Sequence, residues 1–387
     1  MRQSKTILVL HLAGQYPLAG VAWQAIHYVM GLTKLGYDVY YIEDSGASPY
    51  DPRKQSIVVD PSYSVAFLRY MMERYGLGQK WAFWDLLNDT YYGLARERLQ
   101  QLYGEADAIV NLCGATYFRE EHFRCNIRIL VETDPAYEQI KLAHGDTSTE
   151  TLLNAHTHHF TYGENIGNLD CIVPTERLQW KHTRPPVVID LWDCRITPAA
   201  KSFTSVATWQ NAGKDIEFNG ESYSWSKHVN FLRFNKLPKH TSQELELAVG
   251  NMDQENEVSF LKNGWRLRNS YETSQDLDVY QDYIYRSRGE FTVAKDLYAR
   301  TNCGWFSDRS ACYLAAGKPV VTQSTGFEKF IPTGTGLFGF STIDEAAGAF
   351  ASINSDYKRH AQAARDIALE YFSAEKVLAD LMREAGV

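Results

Sequence analysis

What most restricts this chain is a unit that repeats along it: a short, continuously apolar run, a glycine-bounded loop, then apolar residues at helical spacing. A run that is apolar on both faces belongs to a strand covered on both sides, which is how parallel sheets sit between layers of helices. The first run spans residues 6–12 and is followed by the loop Gly14, Gln15, Tyr16, Pro17, Leu18, Ala19 and Gly20. Val21, Ala25, Tyr28, Leu32 and Leu35 then recur at helical spacing, Gly36 is placed to stop the helix, and residues 37–42 form the next apolar run. Similar runs lie at 107–112, 127–131 and 171–173. Thr183, Arg184, Pro185 and Pro186 interrupt the series, because paired prolines hold the backbone extended and cannot donate to a ladder. Residues 187–189 read as an interdomain strand or linker. A second series follows at 205–209, 245–249, 319–322 and 336–338.

A chain of 387 residues exceeds one ordinary core, so two domains are expected, 1–185 and 186–387. Each reads as a doubly wound α/β unit whose ligand site lies outside the carboxyl ends of its strands, with a cleft between the two. The closing helical stretches, 356–370 and 374–383, follow without a linker and are expected to pack back on the body.

Composition narrows the class further. Hydrophobic residues make up 44% and charged residues 22%, the balance of a folded globular protein. Aromatics reach 13%, enough to fill cores and also to line a sugar cleft, where a flat ring matches a pyranose face. The net charge of −8 and the lack of a dense Lys/Arg run argue against nucleic acid as a partner. The apolar stretch before Gly14 is too short for a membrane span and has no small-residue cleavage site. Six cysteines without a CxxC pair fit reduced thiols, and a cytoplasmic location is expected.

The densest chemistry lies between Cys303 and Phe327. Gly304, Trp305 and Phe306 lead through Ser307, Asp308, Arg309 and Ser310 into a helical stretch that closes at Gly317, Lys318 and Pro319. Val320 and Val321 begin a strand, followed by the loop Gln323, Ser324, Thr325, Gly326, Phe327 and Glu328, then Gly334, Thr335 and Gly336. A loop entering a helix presents unpaired N–H groups and a positive dipole end to a diphosphate, and serine hydroxyls add donors. Ser307, Arg309 and Ser310 supply that chemistry; the competing reading makes Ser307 or Asp308 a helix cap. A guanidinium in the first turn opposes the macrodipole, so Arg309 calls for an anion.

This order, over roughly 304–340, resembles the donor-site signature of the GT-B glycosyltransferases, and the two-domain layout matches over most of the chain. The resemblance implies an α/β, GT-B-like fold of two Rossmann-type domains facing a central cleft. It implies transfer of a sugar from a nucleotide sugar, bound by the second domain, to a small-molecule or glycan acceptor on the first, with no cofactor and no metal. On the donor side it points to Lys227, Arg288, Glu290, Ser307, Arg309, Ser310, Thr325, Gly326 and Phe327, with Lys214 as an alternative to Lys227. On the acceptor side it points to Gly14, Gln15, Gly20 and Asn165. The sequence departs from the pattern in two respects: where many retaining members carry a spaced glutamate pair, it has Gly304 and Cys312. Inverting members often read His-Cys-Gly-Trp, and here Asn302 precedes Cys303, Gly304 and Trp305. A non-catalytic nucleotide-sugar-binding protein and a nucleotide-sugar epimerase on the same fold are the alternatives.

Three further groups are candidates. His156, His158 and His159 form a cluster, but alternate residues of a strand share a face and the third imidazole points away, so metal binding is disfavoured. His158 or Glu164 at a cleft-facing strand end is the expected general base, with Asn165 beside it. Thr133, Asp134 and Pro135 follow the run 127–131, and Asp134 reads foremost as a helix cap.

Overall fold

The computed structural model describes residues 4–175, 177–211 and 213–387. Two parallel sheets carry the molecule. The first is built from β1 (Thr6–Leu10), β2 (Asp38–Glu43), β5 (Trp81–Asp85), β6 (Thr90–Gly93), β7 (Ala108–Leu112), β8 (Arg128–Glu132), β9 (His158–Thr161) and β10 (Lys181–His182), with the small hairpin β3 (Tyr50–Asp51) and β4 (Ser56–Ile57) beside it. Its strand order is β10-β9-β8-β7-β1-β2-β5-β6, and only β6 runs antiparallel to its neighbour. The second contains β11 (Ser202–Thr208), β14 (Glu244–Gly250), β15 (Arg266–Asn269), β16 (Gly289–Thr292), β17 (Val320–Gln323) and β18 (Leu337–Phe340), again with a hairpin, β12 (Ile216–Phe218) and β13 (Glu221–Tyr223). Its order is β15-β14-β11-β16-β17-β18, parallel throughout.

Both sheets are doubly wound. In the first, the chain steps outward from β1 through β2 to β5 and then returns to the other side at β7; in the second it leaves β11 through β14 and β15 and returns at β16. The points of reversal, β1/β7 and β11/β16, open crevices at the carboxyl ends of those strands. Helices on both faces explain the composition of the central strands: Ile7, Leu8, Val9 and Leu10 are fully buried, so β1 has no polar face.

The run 171–173, expected as a strand, is a loop; the sheet closes instead with β9 and β10. There the Ile172 N–H donates to the Thr301 carbonyl and Val173 is buried, so the apolar residues serve a seam between the two sheets rather than a ladder. The strands β5, β6, β15 and β16 lie outside the runs legible in the sequence. Beyond the prolines, Val187 makes a single bridge to Ser373.

The last helix, Ala374–Glu384, lies against the first, Ala19–Lys34, which belongs to the opposite sheet. Gly31 permits that approach: a Cβ there would stand 2.6 Å from Leu378 Cδ1 and 2.8 Å from Ala374 Cβ. Lys34 completes the contact through ion pairs to Glu375 (3.0 Å) and Asp190. Among the described residues, no helix is long and apolar enough to cross a membrane.

Candidate functional site

Where the two crevices face each other they form one cavity of about 560 Å³, a size suited to a small-molecule ligand. Its walls are strand ends. Leu12 follows β1, Cys113 follows β7, and Thr133 and Asp134 follow β8; opposite them Thr208 closes β11, Gly250 closes β14, Asn269 closes β15 and Lys295 follows β16. Two helices begin on it, Ala19–Lys34 through Gly20 and Val21, and Asp308–Ala315 through Ser307, Asp308 and Arg309. Neither start is closed by a side chain: Leu18 and Ser307, the residues at the cap positions, make no side-chain cap bond. The backbone N–H groups of those first turns are left for water or a ligand.

Four cations stand in this lining: Lys214, Lys227, Lys295 and Arg309. Arg309 is held from within. Its Nε donates to Glu290 Oε1 at 2.5 Å, Nη1 to the Val206 carbonyl at 2.6 Å and Nη2 to Thr292 Oγ1 at 2.8 Å. Five donors on a planar fork leave two N–H groups beyond those three bonds. Lys295 reaches across the cleft to Asp134 Oδ1 at 2.7 Å, and its ammonium lies 3.6 Å from the Trp225 ring centroid. Tyr298 donates to the same Asp134 oxygen. Asp134 therefore ties the two sheets together instead of capping a helix; the residue at the next cap position is Ala136.

Lys227 differs from the other cations. Among the described residues its ammonium has no hydrogen-bond or ion-pair partner, and the Trp305 ring centroid lies 5.6 Å away. Burial, with Arg309 and Lys295 nearby, pushes its pKa well below the usual lysine range. An added anion would relieve both penalties.

Two carboxylates line the cavity. Asp134 is paired, and the Lys295 ammonium is its main counterweight to burial, holding its pKa below the usual value. Asp308, at the start of its helix, has no cationic partner; its Oδ1 accepts from Tyr162 Oη at 3.4 Å, and Tyr162 Oη lies 3.0 Å from Tyr28 Oη. Burial raises the Asp308 carboxyl to about 6, opposed by the Gln24 amide.

Of the residues read from the sequence, Gly20, Lys227, Ser307 and Arg309 meet in the cavity lining, with Lys214 beside them. The rest fall elsewhere, each for a visible reason. His158 opens β9 at its amino end, whereas the cavity lies at the carboxyl ends, and it sits 2.9 Å from Thr157 Oγ1. The other two imidazoles are bound to backbone carbonyls, His156 to Leu152 at 2.8 Å and His159 to Leu153 at 2.7 Å. Glu164 is buried in an ion pair with Arg184 at 2.7 Å, and Asn165 donates to the Asn302 carbonyl at 2.7 Å, so both belong to the seam between sheets. Gly14 and Gln15 are tied down by their own N–H groups, which donate to the buried Glu43 carboxylate at 2.5 and 2.8 Å.

On the donor side Arg288 precedes β16, at the far end of the sheet from the cavity, where it donates to the Asn354 side chain and the Pro198 and Ala200 carbonyls. Glu290 is fully buried as the Arg309 partner. Ser310 points into the core, where its Oγ has no partner. Thr325 donates to the Trp305 carbonyl at 2.6 Å and shapes the loop above it. Gly326 adopts φ 92°, closely packed on Asn302, and Phe327 is a core residue against Phe306. Gln24, Cys113, Tyr271, Lys295 and Asp308 line the cavity but were not among the site residues read from the sequence, and Asp134, read foremost as a helix cap, lines it as well. All but Gln24, which lies in the second turn of Ala19–Lys34, stand just past a strand or at a helix start. Among the described residues, no group of three or more His, Cys, Asp or Glu side chains is placed to hold a metal ion.

No family model and no curated protein matches this sequence. Solved structures do match in shape. An alpha-glucosyltransferase in complex with UDP and a 13-mer DNA superposes with a TM-score of 0.58 at 8% identity, over 99% of this chain and 100% of that one. Alr3699/HepE from Anabaena, in complex with UDP and glucose, gives 0.56 at 12% identity over 99% of both chains. Sucrose-phosphate synthase from Thermosynechococcus elongatus gives 0.54 at 12% identity over 98% of both. The chain has the GT-B fold. At such low identity the likeness is one of architecture, and function on the GT-B scaffold has to be argued from the site. One expectation is overturned: nucleic acid was set aside as a partner on net charge, yet two of the GT-B structures that match this chain hold DNA. Net charge is a sum over the whole surface and does not fix the potential inside a cleft where four cations meet.

Proposed function

We propose that this chain transfers a sugar from a nucleoside diphosphate sugar to an acceptor lying against the first sheet. The observation that carries the reading is the unpartnered Lys227 ammonium, set beside Arg309 and the uncapped start of the helix Asp308–Ala315. A diphosphate placed there neutralises a cation that otherwise sits in a poor dielectric, and the same groups stabilise it as a leaving group. The charge balance calls for no metal, since two cations and a helix dipole face one diphosphate.

The UDP complexes on this fold support UDP as the first ligand to test. UDP is expected to raise the melting temperature, EDTA to leave that shift unchanged, and UDP-sugars to be slowly hydrolysed. A shift that disappears on chelation and returns with magnesium or manganese would remove metal independence. Stabilisation without hydrolysis or transfer, across glycan, small-molecule and DNA acceptors, would leave a binding protein. No stabilisation by any nucleotide would reject the site.

A further inference from the structure

Two carboxylates line the cavity, and one of them, Asp134, is neutralised by Lys295. The other, Asp308, has no ion pair among the described residues. It projects from the first turn of its helix into the cavity, on the wall that also carries Arg309, yet its carboxylate meets groups of the opposite sheet: the Tyr162 hydroxyl at 3.4 Å and, beyond it, Tyr28. Titratable groups that act on it include Tyr28, Cys113, Asp134, Tyr162 and Cys312; the lining also holds His27, Lys214, Lys227, Lys295 and Arg309, none of which forms an ion pair with it, Lys295 being engaged by Asp134 and Arg309 by Glu290. Resting on the reading that the cations hold the diphosphate, we infer that Asp308 is the base that takes the proton of the acceptor hydroxyl. In that step the acceptor oxygen bonds to the anomeric carbon as the bond from that carbon to the diphosphate oxygen breaks. The electron pair leaves with the nucleoside diphosphate, and the hydroxyl proton passes to the Asp308 carboxylate.

The local chemistry suits the task. A carboxylate without an ion-pair partner keeps its lone pairs available, and the Tyr162 hydroxyl holds its orientation without cancelling its charge. Burial lifts its pKa to about 6, so it is ionised at neutral pH and more basic than an exposed aspartate. The other basic groups in the lining are worse placed. His27 accepts from the Val188 N–H at 3.1 Å, and burial lowers its pKa to about 3.

The experiment uses the full chain, UDP as the binding probe and hydrolysis of UDP-glucose, with water as acceptor, as the turnover probe. Asp308→Asn should lower kcat at pH 8 by at least about a hundredfold, the usual worth of a general base, with the UDP Kd changed less than about threefold. The wild-type rate should rise through pH 6 and level off, Asp308→Asn should be flat, and Asp308→Glu should recover part of the rate. Because an ionised, buried carboxylate disfavours the fold, Asp308→Asn should also melt higher than wild type at pH 8 but not at pH 4. Turnover within about threefold of wild type in Asp308→Asn overturns the assignment. So does a UDP affinity that falls in step with turnover, or a covalent glycosyl adduct on Asp308 in the quenched enzyme. A wild type that neither binds UDP nor hydrolyses UDP-glucose overturns the reading of the site and this assignment with it.

Discussion

Arg309 and Lys227 share one wall of the cleft, and their partners separate what each contributes. Arg309 neutralises Glu290, which is fully buried and already has one oxygen, Oε2, without a partner. Arg309→Ala therefore strands a buried carboxylate, and a cost of about 3–5 kcal/mol in the apo protein is expected from urea denaturation. Arg309→Lys should restore only part of that, because a point charge cannot reach Glu290, Val206 and Thr292 together. Unchanged apo stability in Arg309→Ala would mean that Glu290 finds another partner. Lys227 has no internal partner to strand. Lys227→Met should leave the apo protein as stable or more so, and should weaken UDP by about 1.5–3 kcal/mol, roughly ten- to hundredfold by calorimetry. An unchanged Kd would take Lys227 out of the site.

Among the elements, the helix Ala374–Glu384 shows how a single missing side chain sets a docking distance. Leu378 could rotate away from a new methyl group on residue 31, but Ala374 has no rotamer to change. Gly31→Ala should therefore cost about 1–3 kcal/mol, read as a lower urea midpoint with an unchanged slope. Proteolysis should then begin at the C-terminal helix, since its contact with Ala19–Lys34 is what the substitution weakens. A midpoint equal to wild type would show that the helices can separate freely. The β1-loop-helix unit was legible because its apolar spacing and Gly36 act locally, and Gly36 indeed takes φ 91° just past the helix. β9 was harder, since it carries no apolar run: the Thr161 hydroxyl is satisfied by Glu132, 29 positions away, while His159 turns to the Leu153 carbonyl.

For the whole molecule, burial rather than net charge shapes the response to pH. Burial raises Glu43 to about 7 and Glu132 to about 8, and it lowers His11 to about 4 and His27 and His156 to about 3. The raised carboxyls stabilise the fold fully below their ordinary value of 4.5 and lose that contribution as pH climbs through 7 and 8. The neutral histidines act in the opposite sense, contributing fully above 6.5 and less as pH falls toward 3. Above pH 6.5 the histidine slope is spent, so in Lys227→Met, which removes the opposing slope of a buried lysine, the apo melting temperature is expected to fall between pH 6.5 and 8. Glu132→Gln should flatten that fall, because the amide oxygen can still accept from Thr161 and Gln139. A melting temperature that rises over this interval would refute the ionic account. By itself the sequence determined the fold class, the repetition of βα units and the helix start at Ser307, because strand length, helical period and turn chemistry are properties of neighbouring residues. It also placed Lys227, Arg309 and Gly20 on the cleft, since strand ends and helix starts point there in any doubly wound sheet. Only the tertiary structure decided that Arg309 answers to Glu290, that Asp134 is held by Lys295 and that Asp308 stands without a cation. The two ion pairs join residues 19 and 161 positions apart, and the Tyr162 hydroxyl meets Asp308 across 146; complementarity at such separations depends on packing that no local pattern encodes.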